Sequence, residues 1–186
     1  MSAPRTFFAL TAAALALAAT AVGSTPAVSL SEDGGPEPEF AQLSSGVDQV
    51  QDGTVKTVQF EQADAYHGVE VTKESVTVRR TGTYLIVVAP QVYTDNGGVQ
   101  EGKDPTTGCV DTWFSINDQS LPNSGVRLCQ AATHSTHVVV SQSATRLKKG
   151  DTVKVRAKGD GVRFNAVQPS EGPLIPSVIL TLTRLS

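Results

Sequence analysis

At 186 residues, 39% hydrophobic and 18% charged, the chain is long enough for one domain with a sizeable core. Fifteen basic residues against eighteen acidic ones, a net charge of −3 and 5% aromatics exclude a basic, aromatic-lined groove of the kind that binds nucleic acid.

Residues 1–23 read as a secretory signal peptide. Arg5 precedes an apolar run from Phe7 to Val22, no acidic residue occurs before Glu32, and small residues allow cleavage after Ala21 or Gly23. The run is short for a membrane span, and an uncleaved anchor is the competing reading. With no cysteine near the cleavage region and no sorting tail, the mature protein is expected to be secreted, extracellular and without a membrane span. Residues 24–46, rich in Ser, Pro, Gly and acidic types, read as a flexible linker.

From Val47 to Ser186 the pattern is short alternation broken by turns. Strands are expected around Val58–Phe60, Val69–Val71, Val76–Val78, Tyr84–Ala89, Val110–Asn117, Val126–Gln130, His137–Ser141, Thr152–Ala157, Val162–Ala166 and Ser177–Leu185. About ten strands without an amphipathic helix predict an all-β antiparallel sandwich or barrel. The Tyr84 strand is the most informative. Tyr84, Ile86 and Val88 share one face and Leu85, Val87 and Ala89 the other, so a strand apolar on both sides needs cover from a second sheet or from another subunit. Pro90 implies a bulge or strand end.

Cys109 and Cys129 are the only cysteines. Parity places both on the outward side of a hairpin turning between Asn117 and Gly125, at its open end, which predicts a disulfide; a pair of reactive thiols or a metal pair is the alternative. Asp111 and Trp113 share that outward side.

Three motifs in order carry a family resemblance: the Gly82–Ile86 strand, the Phe114–Asn117 hairpin arm, and Leu147–Val155 with its Gly150-Asp151 turn. Preceded by Val58–Phe60, Val69–Val71 and Val76–Val78, they resemble the globular head of complement component 1q and its tumour-necrosis-factor-like relatives, here as a bacterial-type secreted member. The resemblance implies a ten-stranded jelly roll that assembles as a homotrimer, with binding surfaces on the outer loops and no catalytic machinery. The chain departs from the animal pattern in its aliphatic last strand, in Asn117-Asp118 at the hairpin, and in lacking a collagen-like stalk.

Candidate sites are few. The loop holding Asp95, Asn96, Glu101 and Asp104 offers oxygen ligands and glycines that suit calcium, and equally reads as a solvated ligand-contact loop. Trp113 reads either as a sugar-stacking ring or as a side chain buried at a subunit contact. His134 and His137, three apart on a strand, face opposite sides and read as exposed histidines, not metal ligands. No nucleophile elbow, zinc motif or phosphate loop is present, and a carboxylate pair such as Asp111 with Glu101 has no visible geometry, so no enzyme, catalytic residue or bound metal is expected. The expected function is non-catalytic: a self-associating binding or structural domain with an extracellular protein or glycan ligand, or a carbohydrate-binding module for cell-surface glycan.

Overall fold

A computed structural model describes residues 38–94, 108–130 and 134–186. All regular structure in these residues is strand, and every pairing is antiparallel. In chain order the strands are β1 (Phe40–Ser45), β2 (Gln49–Asp52), β3 (Lys56–Thr57), β4 (Gln62–His67), β5 (Val69–Val71), β6 (Val76–Val78) and β7 (Gly82–Thr94). They continue with β8 (Cys109–Ile116), β9 (Gln119–Ser120), β10 (Val126–Cys129), β11 (Ser135–Val138), β12 (Ser141–Leu147), β13 (Thr152–Phe164) and β14 (Val178–Arg184).

The first sheet runs β12-β7-β14-β1-β4. The second runs β10-β8-β13-β6-β5, with β3 and β9 as short additions. Two thirteen-residue strands tie the layers together. β7 leaves the first sheet at Pro90 and pairs through Val92, Tyr93 and Thr94 with Phe164, Arg163 and Val162 of β13, flanked by β11 and β2. The sandwich is thereby nearly closed along one side, which leaves fewer bare sheet edges.

The core follows from alternation. Tyr84, Ile86 and Val88 of β7, Leu180 and Leu182 of β14 and Ala41 and Leu43 of β1 point inward from the first sheet. They meet Val110 and Phe114 of β8 and Val153, Val155 and Ala157 of β13, all at most 1% exposed.

Several sequence expectations are corrected. Residues 40–45, inside the stretch read as linker, form β1, which lies between β14 and β4; its inward Ala41 and Leu43 complete the core, so the sheet begins before Val47. Pro90 is not a strand end. It falls at the last pair with β14, where β7 changes partner, and the ladder resumes at the next residue with Gln91 N–H bonding Ser177 O at 2.8 Å. The two strands read at 152–157 and 162–166 are one, β13, bulged between Asp160 and Val162 where Gly161 takes φ 67°. Val58 and Phe60 are buried as expected but lie outside the strands, and β4 and the polar edge strand β12 were not foreseen.

Candidate functional site

The outward face of the first sheet is apolar at its centre and free of charge there. Leu85 sits opposite Ala144 of β12 and Thr183 of β14, Val87 opposite Gln142 and Thr181, and Ala89 opposite Ile179. Beyond β14 the same rows continue to Phe40 and Gln42 of β1. Leu85, Val87, Ala89, Ile179 and Phe40 are all half-buried, and no outward residue of β7, β14 or β1 carries a charge. Charges appear only at the borders, as Arg146 on β12 and Asp64 on β4, the latter accepting from Ser44 Oγ at 2.9 Å. At one end Pro173, Leu174 and Pro176 overhang Ile179 and Gln42 to form a groove of about 340 Å³. Tyr84 and Ile86 are thus core residues, while Leu85 and Val87 lie on the outside of their sheet.

The charge of this layer is held inside. Glu39, immediately before β1, is fully buried; its carboxylate lies 3.3 Å from Arg80 Nε and 4.0 Å from Arg184 Nε. The Tyr84 hydroxyl donates to Glu39 Oε2, with the Arg80 carbonyl oxygen 2.8 Å away as a second acceptor. Burial, and then the adjacent Glu39 carboxylate, push the Tyr84 phenol far above its ordinary value. The position is closed by backbone: Arg184 N–H bonds Glu39 O at 2.8 Å, and a side chain added at Gly68 would meet Glu39 Cγ at 2.7 Å. Sequence reading passed over Glu39, whose only signal was the weak alternation that follows it.

The second sheet differs. Cys109 and Cys129 are directly opposed on β8 and β10 and form a disulfide. Two residues along each strand pair, Asp111 and Arg127 make a two-pronged ion pair at 2.5 and 2.7 Å, which holds the Arg127 guanidinium more firmly protonated. Trp113 follows on the same face, half-buried, its indole N–H donating to Ser120 Oγ at 3.1 Å. Across the ladder Trp113 faces Arg156, Asp111 faces Lys158 and Ser115 faces Lys154. Lys154 bonds Asp118 at 2.8 Å and lowers that carboxyl's pKa; Arg156 donates to Thr57 Oγ1. A cleft of about 250 Å³ opens between Arg127, Asp111, Lys158, Asp160 and the glycines Gly53 and Gly159.

His134, with φ 55°, turns Nδ1 to the Tyr93 hydroxyl at 2.8 Å, while Arg163 lies 4.5 Å over the Tyr93 ring. His137 is exposed on β11. Asp95, Asn96, Glu101 and Asp104 lie outside the described residues. Among the described residues no group of three or more His, Cys, Asp or Glu is placed to hold a metal ion.

No family model and no curated protein matches the sequence. Solved structures do match the fold. Murine APRIL is similar at 17% identity and TM-score 0.53, over 80% of this chain and 100% of that one. The globular domain of zebrafish complement 1qA protein is similar at 11% identity and TM-score 0.53, over 80% and 98%. Eiger TNF from S. frugiperda is similar at 16% identity and TM-score 0.50, over 80% and 93%. At these identities the likeness concerns the backbone. The domain therefore has the all-β antiparallel jelly-roll fold shared by tumour-necrosis-factor-like proteins and complement component 1q globular heads.

Proposed function

We propose that this is a secreted, non-catalytic binding domain that assembles as a homotrimer through the outward face of the first sheet. One observation carries the reading: the outward residues of β7, β14 and β1 are apolar or neutral, with Leu85, Val87, Ala89, Ile179 and Phe40 only half-buried. Depletion of charge at the centre with polar groups at the rim is the pattern of a subunit contact. A sheet face bathed in water has no reason to avoid Lys, Glu or Arg along three adjacent strands. The disulfide, together with the apolar N-terminal run read as a signal peptide, supports an oxidising, extracellular setting. Sedimentation equilibrium at micromolar concentration tests the assembly: a trimer mass is expected, and a stable monomer would refute it.

The second reading, a carbohydrate-binding module, is favoured by Trp113, whose ring lies partly open on the second sheet, away from the proposed contact. A glycan array with Trp113→Ala as comparator tests it. Loss of glycan signal supports the module; signal unchanged by the substitution counts against it.

A further inference from the structure

Residues 148–158 are the densest run of positive charge in a chain of net charge −3: Lys148, Lys149, Lys154, Arg156 and Lys158 stand against Asp151 alone. The fold turns the last three into a line. Val153, Val155 and Ala157 are buried, so alternation along β13 sends Lys154, Arg156 and Lys158 outward on the second sheet, about 6.8 Å apart at the usual strand rise. Of the neighbouring carboxylates, Asp111 is engaged by Arg127, Asp118 by Lys154 and Asp52 by Lys56, and Asp160 lines the cleft that Lys158 enters. Arg156 has a neutral partner in the Thr57 hydroxyl, and Lys158 has no carboxylate partner among the described residues. Among the described residues cations therefore outnumber carboxylates on this face, with Arg156 and Lys158 both outside any ion pair, and excess charge of one sign marks a surface for a partner of the other. Trp113 lies directly across from Arg156 and Arg127 borders the cleft that Lys158 enters.

We propose that the strip of Lys154, Arg156 and Lys158, with Trp113 beside it, binds a linear acidic glycan, a polysaccharide bearing carboxylate or sulfate groups along its length. This rests on the carbohydrate-binding reading and is independent of assembly. A regular line of cations on a flat sheet suits a polymer with repeated anionic groups. The Arg156 guanidinium offers a fork to a carboxylate or sulfate, and the partly open indole offers an apolar platform for a sugar ring. Nucleic acid is the poorer match, because successive bases need several stacking rings and this face presents one.

Binding of the full chain to polygalacturonate (carboxylate only) and heparin (sulfate and carboxylate) tests the proposal, with an uncharged β-glucan and a single-stranded oligonucleotide as comparators. Both acidic glycans are expected to bind, more weakly as salt rises. Combining Arg156→Gln with Lys158→Gln should weaken binding roughly tenfold or more, about the effect of 1.4 kcal/mol. Lys158→Glu, at an exposed position that does not threaten folding, should weaken it further, and Arg146→Gln on the first sheet should change nothing. An unchanged melting temperature in each variant separates lost contacts from lost fold. No binding to any glycan would overturn both this inference and the carbohydrate reading. Equal binding of the neutral glucan would overturn the acidic class and leave that reading standing. Oligonucleotide binding of equal strength, with the same losses in the variants, would overturn the glycan in favour of an indiscriminate polyanion surface, and an equal loss in Arg146→Gln would overturn the location.

Discussion

On the first sheet the outward positions of β7, β14 and β1 carry no charge, whereas on the second sheet three of the four outward residues from Thr152 to Lys158 of β13 are cations. Both faces arise from the same rule. Alternate residues enter the shared core, and the intervening positions are left to whatever lies outside. On the first sheet the ion cluster is buried at one end around Glu39, while on the second the pairs Asp111–Arg127 and Lys154–Asp118 stand at the surface. The contrast teaches that backbone alone does not set the character of an outer face; what touches it does. On the reading proposed above, the first suits a neutral, close neighbour and the second water and charged solutes.

The comparison is sharpened by asking which charges hold the fold. Glu39→Ala should cost the most, roughly 3–5 kcal/mol, because it removes the buried carboxylate facing Arg184 and leaves the Tyr84 hydroxyl only the Arg80 carbonyl as acceptor. Denaturant unfolding reads it directly, with the midpoint falling well below that of the native chain. Removing the bridge by replacing both Cys109 and Cys129 with Ser should cost about 3 kcal/mol, given a separation of 20 residues, and is read by the same measurement. A smaller effect depends on pH. Folding raises the Tyr84 pKa, so its contribution is complete below the ordinary phenol value of about 10 and is lost progressively as pH rises above it. Melting temperature followed from neutral to strongly alkaline pH should show this decline, and Tyr84→Phe should flatten it. Least of all, Asp118→Asn on the exposed second face should leave the melting temperature unchanged, since a solvent-screened pair contributes little. A large loss there would blur the contrast between the layers.

Local patterning made much of the fold legible. The Tyr84–Ala89 run announced β7, and parity on either side of the Asn117–Gly125 turn placed Cys109 opposite Cys129 and Asp111 beside Trp113. What stayed hidden lacked a local hydrophobic signal. β4 is exposed at all six positions, and β12 buries only Ser141 and Leu147 firmly, so neither carries the alternation that marks a half-buried strand. In β1 the pattern dissolves at Ser44 and Ser45, which are buried yet polar, Ser45 donating to Glu61 Oε2 at 2.6 Å. Gly159, Asp160 and Gly161 resemble a turn and form a bulge, because β13 has partners on both sides of it. The outward sides of Leu85, Lys154 and Arg156 were readable from alternation. The neutrality of the face around Leu85 was not, because Phe40, Thr181 and Thr183 join it only through pairings that span most of the chain.

The account turns on the neutral face being the place of self-association. Sedimentation velocity of Val87→Asp at micromolar concentration tests this most directly, since the substitution puts a carboxylate among Gln142 and Thr181 on an outer position that a folded monomer tolerates. The account predicts a trimer mass for the native chain and a folded monomer for the variant. A variant that keeps the native chain's mass would contradict it.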